Sequence, residues 1–87
     1  MKSFNQLYEQ LSDIASTRPA GSNSAHLLEQ GVHAIGKKLM EEAGETWIAA
    51  EYQSVEQLAM EAAQLIYHLQ LLLIARGVTL AALEENL

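Results

Sequence analysis

A chain of 87 residues, 49% of them apolar, with no cysteine and a formal charge of −6, has room for one modest core and little stability to spare. The lack of cysteine excludes a disulfide framework and a thiolate zinc site. Five Lys and Arg against eleven Asp and Glu leave no cationic cluster of the kind a nucleic-acid partner requires.

MKSFNQLYEQ has no apolar h-region of a signal peptide. The longest uncharged apolar run, 62–75, is interrupted by Gln64, His68 and Gln70 and is shorter than the roughly 18–20 residues of a bilayer span. A cytoplasmic location without membrane contact is therefore expected.

At the N-terminus, Ser3 followed by Gln6 has the form of a capping box. Phe4, Leu7, Leu11, Ile14 and Ala15 recur at helical spacing, predicting a helix through about Ser16. The stretch TRPAGSNS reads as a loop. Arg18 stands in it among small, hydroxylated residues and is a candidate phosphate contact together with Ser22 or Ser24; a plain surface loop is the simpler alternative. Asn23 or Ser24 is expected to cap a short helix over SAHLLEQ, which Gly31 interrupts.

A longer helix is predicted from about Val32 to Tyr52, with Val32, Ile35, Leu39, Ala43, Trp47 and Ala50 as its apolar arc. Lys38, Glu42 and Glu45 lie along one edge of that arc, and Glu41 points further outward. Gly44 costs about 1 kcal/mol relative to Ala in a helix and leaves room for a neighbouring helix or a substrate.

SVEQ reads as a second capping box, opening a helix from Val55 to about Arg76 that Gly77 ends. Thr79 caps a short last helix. Leu58, Leu65, Leu69 and Leu72 form one face of the third long helix, while Ile66, Leu71, Leu73 and Ile74 occupy others. A helix apolar nearly all round is buried on several sides. The expectation is an all-α bundle of about four to five helices, one domain over residues 1–87, completed by homodimerisation.

The polar residues of this helix carry the chemical signal. Glu61 falls within the arc of Leu58, Leu65 and Leu72, where an unpaired carboxylate is costly. Glu61 and Gln64 repeat the three-residue spacing of Glu42 and Glu45, which sets two side chains on one face a turn apart. Two such pairs on antiparallel helices bring four oxygen donors together, the cage that a hard cation such as Mg²⁺ needs. His68 reads as a hydrogen-bonded core histidine in preference to a ligand, and Tyr67 as packing. Two functions stay open on these residues: a Mg²⁺-dependent phosphoanhydride hydrolase, or a non-catalytic helical dimerisation module whose Glu residues are a solvated face.

GVHAIGKKLMEEAGE at 31–45, followed by EAAQLIYHLQLLLIARG at 61–77, resembles the phosphoribosyl-ATP pyrophosphohydrolase family, within the all-α nucleoside triphosphate pyrophosphatases that include the MazG-like enzymes. The resemblance runs through nearly the whole chain, from the F-x-x-L-Y helix start through the TRPAGS loop to the terminal helix. It implies hydrolysis of phosphoribosyl-ATP to phosphoribosyl-AMP and pyrophosphate, the second step of histidine biosynthesis, in a Mg²⁺-dependent homodimer. By motif, Glu42 and Glu45 match the first metal-binding pair and Glu61 and Gln64 the second. Lys37 and Lys38 match paired lysines, of which one is suited to a phosphate contact. Glu41 and Glu45 are the candidates for orienting the attacking water, and Lys38 and Arg18 for stabilising charge on the phosphates. Many relatives have Asp where this chain has Gln64, and a neutral amide oxygen is the weaker Mg²⁺ ligand. A pyrophosphatase acting on free nucleoside triphosphates shares the same carboxylates and is the alternative enzyme.

Overall fold

Local capping chemistry sets most of the helix boundaries in the computed structural model, which describes all 87 residues as five α-helices and no strand. Helix α1 (Phe4–Thr17) opens on the expected box: the Ser3 hydroxyl accepts from the Gln6 N–H at 3.1 Å, and the Gln6 amide oxygen accepts from the Ser3 N–H at 2.9 Å. It closes on Arg18, whose φ of 48° is left-handed, a conformation that costs a side-chain-bearing residue on the order of 1 kcal/mol. Two bonds to the helix end offset that cost. The Arg18 N–H donates to the Ile14 carbonyl at 2.7 Å and Nε to the Ala15 carbonyl at 2.8 Å.

Helix α2 (Asn23–Gln30) is capped by Ser22, not by Asn23 or Ser24. The turn closed by the Ser22 N–H on the Pro19 carbonyl, with Gly21 at φ 80°, delivers Ser22 first to the helix start. Its hydroxyl then accepts from the Ala25 N–H at 3.1 Å. Ser24 turns inward and is buried. Gly31, at φ 96°, joins α2 to α3 (Val32–Tyr52).

Helices α3 and α4 (Val55–Ala75) form an antiparallel hairpin closed by Gln53 and Ser54. Of the second predicted box only the Ser54 half forms, accepting from the Gln57 N–H at 3.1 Å. α4 ends in a Schellman motif in which the Val78 N–H reaches the Leu73 carbonyl at 2.9 Å and the Gly77 N–H the Ile74 carbonyl at 3.0 Å. Gly77 supplies the left-handed φ of 72° that this turn requires. Thr79 caps the short α5 (Leu80–Glu84).

The core lies where α1, α2 and the open end of the α3–α4 hairpin meet: Leu11, Leu27, Leu28, Ile35 and Leu71, flanked by Leu7, Ile14 and Leu72. Two long-range bonds fasten α1 to the C-terminal half. Buried Gln70 donates from Nε2 to the Phe4 carbonyl at 3.0 Å, and the Tyr8 hydroxyl donates to the Val78 carbonyl.

The apolar arc of α3 departs from the expected one. Ile35 is buried and Leu39 half-buried, but Val32, Ala43, Trp47 and Ala50 are exposed. The inward seam runs Ile35, Glu42, Ala49, in steps of seven, with Thr46 beside it. A hydrophobic wheel turns toward the large aromatic and away from the carboxylate, whereas here the carboxylate occupies the packed position and the indole faces out.

α4 is covered on one side only over its first half, whereas from Tyr67 to Ile74 no residue is exposed. His68, Gln70 and Leu71 are its buried residues. Its 21 residues are long and apolar enough to cross a bilayer, further than the interrupted run 62–75 suggested. Glu61, however, meets two further carboxylates within this helix's pairing with α3, a costly placement in hydrocarbon.

Candidate active site

Glu42 and Glu45 lie one turn apart on α3, and Glu61 projects from α4 across the hairpin. One carboxylate oxygen from each falls within 4.8 Å of the others. Glu42 is the innermost: it and Glu61 are half-buried, Glu45 is exposed, and Glu42 Oε2 is wholly buried with no hydrogen-bond partner.

Three like charges at this range cannot ionise freely. The Glu42 carboxyl is pushed above its ordinary value first by burial, then by the charge of Glu45 and a proton shared with it. The Glu61 carboxyl is raised first by sharing a proton with Glu45, then by burial and by the charges of Glu45 and Glu42. Hard oxygen donors, mutual repulsion and an orphaned buried oxygen form a donor set that fits a divalent cation.

The remaining candidates divide. Gln64 is exposed, and its backbone carbonyl accepts from His68 Nδ1 at 2.8 Å. His68 is thus a buried, hydrogen-bonded histidine, as its position on the apolar helix predicts. Glu41 stands outside the cluster and pairs with Lys38 at 3.8 Å, both side chains more than half exposed, so the pair adds little stability. Lys37 is exposed as well.

Arg18 lies apart from the carboxylates. It lines a separate cavity of about 500 Å³ with Gly21, Ser22, His26 and Glu29. Neither serine proposed to help it is free. The Ser22 hydroxyl caps α2, and that of Ser24 is bound to the Tyr67 hydroxyl. Tyr67 therefore does more than pack, tying α2 to the helix that carries Glu61. The signal available in sequence was general: a tyrosine on an apolar helix needs a partner for its hydroxyl where it is partly buried.

An all-α hairpin that gathers three carboxylates from two helices, beside exposed lysines, defines the chain as a candidate metal-assisted phosphoanhydride hydrolase. Comparison with known proteins makes the class specific. A sequence model described as phosphoribosyl-ATP pyrophosphohydrolase matches residues 4–87. A phosphoribosyl-ATP pyrophosphatase of Bifidobacterium adolescentis (strain ATCC 15703 / DSM 20083 / NCTC 11814 / E194a) is 53% identical over 87 residues, covering all of both chains. One of Bifidobacterium animalis subsp. lactis (strain AD011) is 52% identical over the same span. The chain belongs to the phosphoribosyl-ATP pyrophosphohydrolase family.

Proposed function

We propose that this chain, as one domain over residues 1–87, hydrolyses the α–β phosphoanhydride of phosphoribosyl-ATP, releasing phosphoribosyl-AMP and pyrophosphate in histidine biosynthesis. Family membership across residues 4–87 supports the reaction. The single structural observation that carries the site is the meeting of Glu42, Glu45 and Glu61 from two helices within 4.8 Å.

Glu42, Glu45 and Glu61 would hold Mg²⁺, with Gln64 at the exposed edge. When bound, the cation offsets the charge of the triphosphate and polarises its phosphoryl oxygens. Glu45, the exposed member of the cluster, is best placed to take a proton from the attacking water; Glu41, paired with Lys38, is the second candidate. Lys37 and Lys38 bind the phosphates as point charges, and Arg18, which lies apart from the carboxylates of its own protomer, would serve as a fork across the homodimer. Burial around Glu42 keeps bulk water from the inner side of the site.

The protein acts as a cytoplasmic homodimer. The uncovered side of α4 and the exposed Met40, Trp47, Ile48, Tyr52, Val55 and Met60 supply the apolar surface that supports this pairing.

Pyrophosphate release from phosphoribosyl-ATP, beside ordinary nucleoside triphosphates and with Mg²⁺ or EDTA, is the test. Turnover of phosphoribosyl-ATP that stops in EDTA is expected. Turnover of the plain triphosphates alone would reject the assignment, and turnover unaffected by EDTA would reject the metal.

A further inference from the structure

We propose that His68 is a positioning residue that fixes the inner oxygen of Glu42, leaving the outer oxygen to a cation. The inference rests on the reading of Glu42, Glu45 and Glu61 as a cation site.

Glu42 Oε2 is buried without a partner, and a carboxylate oxygen so placed is costly unless something polar meets it. The hairpin identifies the neighbour. Counting back along α3 and forward along α4 from the turn at Gln53–Ser54, Glu42 stands level with Leu65. Glu61 and His68 lie on either side of that level, seven residues apart, and so on nearly the same azimuth of α4. Glu61 joins Glu42 in the cluster, which leaves His68 as the polar residue on the deeper side. It is only 6% exposed.

The imidazole is immobilised at its other atom. A carbonyl oxygen only accepts, so the 2.8 Å bond to Gln64 places the hydrogen on Nδ1. The Tyr67 ring meets it edge to face, with centroids 4.9 Å apart and planes at 89°. Nε2 is then the one polar atom of the ring left for a neighbour. Nε2 therefore faces the Glu42 carboxyl with its hydrogen-bonding capacity unused by any other group. Electrostatics agree: among the groups acting on Glu42, His68 is the one that favours its ionised form, against Glu45 and Glu41. Groups that orient a metal ligand typically change metal affinity by about 10- to 100-fold when removed.

The test uses Mn²⁺ alone as the probe, titrated calorimetrically into the full-length protein and two variants. His68→Asn keeps an amide where Nδ1 meets the Gln64 carbonyl and removes the atom at the Nε2 place. His68→Gln reaches that place and gives up the Gln64 bond. Asn should weaken Mn²⁺ binding by about 10- to 100-fold, while Gln stays within a few-fold of wild type. Wild-type affinity in both variants overturns the role, as does an equal loss in both that tracks their melting temperatures. Should Asn fail to fold, the imidazole ¹⁵N resonances of the wild type replace it: Nε2 should shift on saturation with Mg²⁺, and an unmoved Nε2 overturns the role. No Mn²⁺ or Mg²⁺ binding by the wild type would instead remove the cation site itself, and the inference with it.

Discussion

The carboxylates of Glu42 on α3 and Glu61 on α4 lie within 4.8 Å of one another, brought together by a hairpin whose turn is only Gln53 and Ser54. Neither helix alone has the full set. Glu42 brings Glu45 with it by helical periodicity, and α4 adds Glu61 from the facing side. Both Glu42 and Glu61 titrate above the ordinary carboxylate value, Glu42 first because it is buried and Glu61 first because it hydrogen-bonds Glu45, with the neighbouring charges adding to each.

Removal of one ligand charge should therefore separate catalysis from folding. Glu42→Gln and Glu45→Gln are each expected to lower kcat on the order of 10²–10³-fold, the scale typical for deleting one electrostatic contribution. Circular dichroism should stay helical in both. Activity that survives both substitutions would place the metal elsewhere.

The raised carboxyls also set the pH dependence of the metal-free protein. A folded-state value above the unfolded one means the native state holds more protons, so this contribution to stability is present at low pH and is lost as pH rises through the window. The window opens near 4.5, the unperturbed value, and closes at the raised folded value. Glu42→Gln removes the group, so its gain over wild type should be smallest below that window and fully developed at neutral pH, on the order of a few degrees in Tm. Thermal melts in EDTA across this range check it; a constant difference would contradict the sign. Excess Mg²⁺ should erase the gain, since a cation stabilises the ionised wild-type cluster by mass action.

Gln64 offers a gain-of-affinity test. Gln64→Asp places a charged oxygen at the exposed edge beside Glu61, where the chain has a neutral amide. Tighter Mg²⁺ binding is expected by calorimetry, with a lower Tm in EDTA because a fourth like charge joins the cluster. Unchanged affinity would mean that position 64 lies beyond the cation's reach.

Trp47 tests the pairing of two copies. The residue is 68% exposed on the outer side of α3, its ring is bonded at Nε1 to the Glu51 carboxylate one turn on, and it lines an apolar depression of about 270 Å³ with Ile48 and Tyr52. Sedimentation of the wild type at micromolar concentration should give twice the 9.6 kDa of one chain. Trp47→Glu should shift the mass toward a single chain. A wild type that sediments only at 9.6 kDa would reject the dimer.

Elements ruled by local chemistry were legible in sequence. The Ser3 box, the hairpin turn before Val55, the Gly77 terminus and the one-turn spacing of Glu42 and Glu45 depend on residues a few positions apart, and each stands where its pattern places it. What escaped depends on partners far along the chain. The inward roll of Glu42 is set by how α3 packs on α4, so a wheel drawn for α3 alone turned Trp47 inward instead. The inward turn of Ser24 is set by Tyr67, 43 positions on, and a search for phosphate-binding hydroxyls cannot see that bond. Arg18 as a helix terminator was hidden for another reason: its left-handed backbone is one that sequence rules reserve for glycine.

The two bonds that fasten α1, from Gln70 to Phe4 and from Tyr8 to Val78, span 66 and 70 positions of the chain. The α3–α4 hairpin closes through a two-residue turn, so its ordering costs little loop entropy, whereas docking α1 on the formed hairpin must also order the segment 18–31 between them. The order of assembly follows: the hairpin bearing the carboxylates forms first, and the N-terminal helix arrives last and is the first to leave. Native-state hydrogen exchange should find the amides of α1 opening at lower free energy than those around Glu42 and Leu65. Mutations that loosen the N-terminal helix would then lower the population of the complete fold while leaving the acidic hairpin intact.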